Sequence, residues 1–190
     1  MSKYFTYFPR VKHTGEFLVD ITKRVDVFSD IAENPNFFVP YTVEGDLRPE
    51  EVAHYYYGST EYVWIVYLTN NIIDPYSDWP KTTRVFEEYL EKKYEEQSGL
   101  VGGAVVEWTQ NETITDNILY YYNTSSEDIV SVDTYTYGSD LIEGFVQGDW
   151  APMRIYESEF IENEAKRKIY LVDNTYTDFM DKELKRLINE

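Results

Sequence analysis

The stretch from Tyr41 to Pro80, YTVEGDLRPEEVAHYYYGSTEYVWIVYLTNNIIDPYSDWP, constrains the fold more than any other, because its turn and cap residues come in a fixed order. Tyr41-Thr42-Val43 is a β-branched and aromatic triplet ending at Gly45-Asp46, the pattern of a strand running into a turn. Pro49 suits the first position of a helix, where a missing N–H is harmless. Glu50 and Glu51 then put negative charge in the first turn, where the helix dipole favours it. Val52, Ala53, Tyr56 and Tyr57 follow helical spacing, Gly58 stops the helix, and Ser59 or Thr60 can cap the next one. The run TEYVWIVYLTNN reads both ways: its β-branched and aromatic content says strand, its length and preceding cap say helix. Val63, Trp64, Tyr67 and Leu68 share one helical face, so a buried helix ending at Asn70-Asn71 is expected.

On either side the signals are shorter. Pro9, Pro35 and Pro40 punctuate an irregular first forty residues, in which Asp20 to Phe28 alternates as a short strand and SDIAENPNFF reads as a turn and an extended lead-in. This segment is either an arm lying on a neighbouring surface or a cap on the protein's own core. After the Pro-bounded loop DPYSDWP comes the clearest helix, Thr82 to Gln97, with Val85, Phe86, Tyr89, Leu90 and Tyr94 as its apolar stripe, a Glu88–Lys92 pair, and Ser98-Gly99 as its stop. From Gly102 to about Tyr137 the pattern predicts strands at AVVEWT, NILYYYN and DIVSVDTYTYG, the first two joined through QNETITD. MRIYESEF is a further strand candidate, and NEAKRKIYLV starts polar and ends β-like. A last helix, about Thr175 to Ile188, puts Tyr176, Met180, Leu184 and Leu187 on one side. The fold class expected is α+β.

Composition narrows the function. The formal net charge is −18, which repels phosphate backbones and argues against nucleic acid as a partner. Nineteen tyrosines and ten phenylalanines argue against wholesale disorder and point to extensive contacts. The absence of cysteine removes disulfides, thiolate metal sites and a thiol nucleophile, and fits assembly in a reducing cytoplasm. The first residues, MSKYFTYFPRVKHTGEF, lack a continuous apolar region and a small-residue cleavage site, so no leader is expected. The longest strongly apolar run, Tyr62 to Leu68, falls far short of the ~20 residues of a membrane helix, so no membrane association is expected.

A search for chemistry finds little. His13 and His54 are far apart and sit in no motif, and there is no P-loop, G-x-G-x-x-G or G-x-S-x-G sequence. Glu87, Glu88, Glu91, Glu95 and Glu96 read as a solvated helix face, and a glycosidase pair is defined by a separation that sequence does not give. The N-x-[ST] sequences at Asn111 and Asn123 carry no weight without secretion. No catalytic residue, cofactor, metal or small-molecule substrate is expected. The triplets Tyr55 to Tyr57 and Tyr120 to Tyr122 carry more information. In a strand, successive side chains point to opposite faces, so Tyr120, Tyr121 and Tyr122 expose at least one ring or bury it against a partner.

Two resemblances rest on these residues. YTVEGDLRPEEVAHYYYG resembles the opening of a LysM domain, with its Y-x-V strand, Gly-Asp turn, helix carrying Val-Ala and closing Tyr-Gly. The Pro-Gly-Gln turn that should follow is absent, which weakens a glycan-binding inference at the sugar-binding loop. More of the chain resembles the baseplate wedge protein 53 family of T-even-type contractile-tail phages. The resemblance is carried by Arg48, Pro49, Glu50, Glu51, Val52 and Ala53, then Tyr57-Gly58, Trp64, Asn70, Asp74-Pro75-Tyr76 and Trp79. It continues in VGGAVVEW and in ENEAKRKIYLVDNTYTDFMDKELKRLI.

This resemblance implies a structural subunit rather than an enzyme. It would be present as six copies in the inner baseplate of the virion, assembled in the host cytoplasm, and would join neighbouring wedge subunits around the central hub. A LysM-like carbohydrate-binding module is the alternative. The organisation expected is a lead-in over 1–40, a LysM-like core over 41–80, a helix and β-rich insertion over 81–150, and returning strands with a terminal helix over 151–190, all in one structural domain. Tyr41 to Val43 should pair with a late strand, near either Met153 to Tyr156 or Lys168 to Val172. Val52, Tyr56, Trp64, Leu68 and Ile72 are expected in the core. Trp79, the Tyr120 to Tyr122 run and the arm before Pro40 are the candidate partner contacts.

Overall fold

In the computed structural model, which describes residues 3–20 and 35–189, the chain opens with a helical turn, α1 (Lys3–Thr6), and a hairpin of β1 (Arg10–His13) and β2 (Glu16–Val19). The strand expected from Asp20 onward lies outside the described residues. The chain divides into two compact units, one of residues up to Pro80 together with those from Lys166 onward, the other spanning Lys81–Ala165.

The first unit is organised by β3 (Phe38–Thr42), which pairs antiparallel with a strand near the far end of the sequence (Lys168–Val172), in the register Thr42↔Lys168 to Phe38↔Val172. Of the two late partners offered by the sequence, this is the second. Backbone bonds extend the ladder at both ends, from Val43 N to Arg167 O and from Asp173 N to Phe37 O, each 2.8 Å. Between the strands run α2 (Pro49–Tyr57) and α3 (Val63–Thr69). The carboxylate of Glu51 accepts from the Arg48 backbone N–H at 2.7 Å, closing the start of α2. Gly58 ends it at φ 78°, a conformation in which a Cβ is strained, and its N–H reaches His54 O at 2.9 Å. Val52 and Trp64 are buried as expected, while Tyr56, Leu68 and Ile72 line the core's margin, half-buried.

A short α4 (Pro75–Asp78) closes this half of the first unit. The second unit begins with α5 (Thr83–Ser98), capped by Thr82 and stopped by Gly99; Phe86, Leu90 and Tyr94 are buried, Val85 is exposed, and Glu88 pairs with Arg84 instead of Lys92. Three expected strands are corrected. AVVEWT lies in a helix, α6 (Gly103–Gln110), because Val105 and Thr109, one turn apart, are both fully buried. DIVSVDTYTYG gives only a two-residue strand, since Ser131 caps a helix directly after it. MRIYESEF divides at Arg154, strand before and helix after. The resulting sheet has β4 (Ile118–Asn123) at its centre, flanked by β5 (Ile129–Val130) and, beyond α7 (Val132–Tyr137), by β6 (Trp150–Arg154).

The helix that follows, α8 (Ile155–Ala165), has an inverted pattern: its buried positions are Ile155, Glu159 and Asn163, while Phe160 and Ile161 face solvent. The Asn163 side chain satisfies both backbone groups of Lys81, accepting from its N–H at 2.8 Å and donating to its C=O at 3.1 Å, so it ties the two ends of this unit together. Back in the first unit, β7 (Lys168–Val172) leads to α9 (Thr177–Asn189), whose Met180, Leu184 and Ile188 are fully buried and Leu187 half-buried. Each fully buried aliphatic side chain of this kind stabilises by roughly 1.5–3 kcal/mol.

Glu159 is the deeply buried acid of the second unit. It accepts from Lys93 Nζ at 2.6 Å, Tyr94 OH at 2.5 Å and Tyr89 OH at 3.0 Å. Burial raises its carboxyl pKa, but these three donors outweigh it and hold the group below the usual range. Burial also pushes the Tyr94 phenol up, to about 12, helped by Glu159. A carboxyl depressed in the folded state contributes stability above its unfolded pKa and loses it as pH falls through the folded value. Wild-type melting temperature should therefore drop on acidification below about pH 4.5. Glu159→Gln should cost about 2 kcal/mol at neutral pH and flatten that acid limb, as measured by thermal melts from pH 3 to 7.

Candidate assembly interface

Of the motif residues singled out by sequence, Pro49, Tyr57, Trp64 and Trp79 are buried in the first unit, Asn70 and Pro75 are half-buried, and Arg48, Glu50, Gly58 and Asp74 are exposed. Pro49 is buried at the start of α2. The Tyr57 hydroxyl donates to Val172 O at 3.0 Å, joining the end of α2 to β7, and burial pushes its phenol well above the ordinary value. Trp64 is buried, with Tyr4 from α1 against its ring. Asn70 acts as a surrogate strand residue: its side chain donates to Tyr170 O at 2.8 Å, accepts from Tyr170 N at 2.8 Å and donates to Val66 O at 2.9 Å. The amide thus closes the end of α3 and occupies both main-chain groups of one β7 residue.

The turn after α3 is tied just as closely. Asp78 Oδ2 accepts from the backbone N–H groups of Ile73 at 3.0 Å and Asp74 at 2.9 Å. Those amides, that of Asp74 first, hold its carboxyl below the usual range. Asp74 caps α4 by accepting from Tyr76 N at 3.0 Å, and Pro75 takes the first helical position. Lys166 Nζ donates to Ser77 O at 2.7 Å. Trp79 is buried, and its indole N–H donates to Leu47 O at 2.9 Å, joining this turn to the one before α2. Its ring is therefore a core group of the first unit. Arg48 and Glu50 are exposed at the start of α2.

In the second unit, Tyr120, Tyr121 and Tyr122 of β4 are all half-buried. Tyr121 stacks on Tyr135 of α7, with centroids 3.7 Å apart and planes within 7°, and Phe145 and Trp150 extend that aromatic row. Tyr122 lines an open cleft of about 490 Å³ together with Glu112, Pro152, Tyr156 and Glu157. Arg154 beside it is committed to the fold: its guanidinium donates to the carbonyls of Asn111, Glu112 and Ile114 and to Asn117 Oδ1. Sequence reasoning missed this cluster, because Arg154 lies about 40 residues after the loop whose carbonyls it binds.

The arm presents a different surface. Seven of the eight residues of the β1–β2 hairpin are exposed, including Val11, Phe17 and Leu18. Phe17 is 69% exposed, far above what a ring contributes to its own protein's core. The hairpin turns through Thr14 and Gly15, both at positive φ. A two-stranded hairpin is marginal on its own in water and leaves strand edges free to pair. Its Arg10 and Lys12 also give a basic face in a strongly acidic chain.

Among the described residues no group of three His, Cys, Asp or Glu is placed to hold a metal ion, and no helix is long and apolar enough to cross a membrane. The base plate wedge protein 53 family matches residues 18–186, which is most of the sequence. The chain belongs to that family. Baseplate wedge protein gp53 of Enterobacteria phage T4 is 28% identical over 141 residues, covering 70% of this chain and 64% of the length of that curated relative. As a member of the wedge protein family, the chain is a structural component of a phage tail baseplate and hence of the virion.

The inward placement of the motif makes a stability prediction. Asn70→Ala should destabilise this wedge protein by about 2 kcal/mol, because it leaves both main-chain groups of Tyr170 without their side-chain partner. Trp79→Phe, which removes only the bond to Leu47 O, should cost about 1 kcal/mol. Urea unfolding of the purified protein measures both, with the slope of the transition unchanged.

Proposed function

We propose that this chain is a non-catalytic subunit that joins neighbouring wedges around the central hub of the baseplate. The observation that carries this reading is the division of labour among its aromatic and apolar residues. Tyr57, Trp64 and Trp79 of the family motif are turned inward, while the arm hairpin exposes Val11, Phe17 and Leu18 without a core of its own. An element built that way gains its stability when it lies on another protein. Repeated head-to-tail contacts of this kind close into a ring when the rotation is right, and six copies match the ring that the family resemblance implies. The chain's acidity favours basic wedge partners and disfavours nucleic acid. On this reading the protein needs no cofactor, metal or small-molecule substrate.

A second reading has its own support. The first unit's β3, α2, α3 and β7, with β3 and β7 paired antiparallel, agree with the strand–helix–helix–strand order that the LysM resemblance implies, and this supports the reading. A glycan-binding module would use the turns at the ends of that core. The Trp79 indole links those turns through Leu47 O, which supports a scaffold role over an open sugar groove.

Absolute quantitation by mass spectrometry of purified tails tests the two readings. About six copies per tail are expected, and absence from tails would overturn the wedge role. A peptidoglycan pelleting assay run alongside should leave the protein in the supernatant.

A further inference from the structure

Ile73 and Tyr76 are among the most exposed large apolar side chains described, at 82% and 90%, and they sit three residues apart on one turn. A single exposed apolar residue is ordinary in a soluble protein. This pair differs in how firmly its backbone is held. The amides of Ile73 and Asp74 go to Asp78 Oδ2, that of Tyr76 to Asp74 Oδ1, and those of Ser77 and Asp78 to Asp74 O at 3.1 and 2.8 Å. Pro75 has no N–H, so every N–H from Ile73 to Asp78 is satisfied within the turn. Lys166 secures it at Ser77 O, and Trp79 anchors its exit in the core. The backbone entropy of presenting the two side chains is already lost in the free protein, which lowers the cost of using them as an anchor.

The surroundings select the partner. Asp74 and Asp78 lie on the turn itself. Burial, then Glu50 and Tyr76, push the Tyr67 phenol up to about 12, so Glu50 adds negative charge near the ring that neighbours Tyr76. Lys166 is the base that reaches the turn in return, leaving negative charge in excess. Outside the small basic face at Arg10 and Lys12, a second copy of a chain carrying a net charge of −18 would meet this patch with like charge, as would an anionic lipid surface.

The geometry points to Ile73 and Tyr76 as a preformed anchor that inserts into an apolar pocket rimmed by Lys or Arg on a different protein of the baseplate wedge. This deepens the structural reading given above and rests on it.

The test uses the full chain, supplied as wild type, as I73A/Y76A, as Y76K and as Y76F during tail assembly, with copies per purified tail counted by mass spectrometry. Thermal melting of each purified protein runs in parallel. All variants should melt within about 2 °C of wild type, because the changed side chains are solvated. I73A/Y76A and Y76K should fall at least about tenfold in copies per tail, and Y76F should stay near wild type. Y76K changes one residue that is 90% exposed, so it keeps the test decisive if the double variant misfolds. Folded I73A/Y76A and Y76K proteins incorporated at wild-type copy number would overturn the anchor alone. Wild type missing from tails would instead remove the baseplate reading and the anchor with it. Wild-type dimers in sedimentation that Y76K abolishes would overturn the choice of partner in favour of a second copy.

Discussion

The first unit depends on one strand pair closed between residues far apart in sequence. Thr42 faces Lys168, and between them only Val43 and Arg167 add a bond to the ladder. Closing a loop of about 125 flexible residues costs about 2 kcal/mol more than closing one of about 15, since each doubling adds about 0.6 kcal/mol. The intervening chain is not flexible, however. It folds into its own unit, and Asn163 fastens the backbone of Lys81 near that unit's other end. The loop to be closed is thereby shortened to the residues outside the staple, 43–80 and 164–167. Once paired, the strands are held from the flanks by Tyr57 at Val172 O and Asn70 at Tyr170.

Asparagine recurs in this fold as a joint between elements. Asn70 and Asn163 each satisfy both main-chain groups of a residue distant in sequence, a pairing geometry otherwise supplied by a neighbouring strand. Asn117, fully buried, donates to Trp108 O and Asn111 O at the end of α6 and accepts from Arg154. A buried amide of this type is stable only while all its partners are present, because each unpaired polar group left behind carries a desolvation cost. Such joints fix a unique arrangement in a way that a continuous apolar stripe, which tolerates sliding, does not.

This explains which parts of the fold were readable in advance. Helices α2, α5 and α9 could be read because their first residues, stops and apolar spacing agree: Pro49 and Gly58, the stripe of Phe86, Leu90 and Tyr94 with Gly99, and Met180 with Leu184. Helix α3 was read from its apolar face, while the expected cap Ser59 in fact closes a 3-10 turn, Thr60–Tyr62, ahead of it. The long-range strand pair was one of two options left by the β-rich endings of the sequence. Helix α8 was hidden because its inward face carries Glu159 and Asn163 while Phe160 and Ile161 point outward, so hydrophobic periodicity indicated the wrong faces. Helix α6 was hidden by its valines, whose strand preference yields to burial at Val105. The family motif was legible as a motif, but its residues proved to be the joints and turns of the first unit. The exposed groups Phe17, Ile73 and Tyr76 leave no mark in sequence, because exposure depends on what the rest of the chain fails to cover.

The distance between β3 and β7 also sets an order on manufacture. Translation proceeds at ~5–20 residues per second, so Thr42 waits on the order of ten seconds for Lys168 to be made. By then the whole of Lys81–Ala165, a compact unit with its own buried cluster, has been synthesised, while Val52, Trp64 and their neighbours still lack the strand and helix that cover them. A chain interrupted before β7 would carry one complete unit and one open one. Completion of the first unit thus reports that translation has passed the strand and helix that follow Lys81–Ala165.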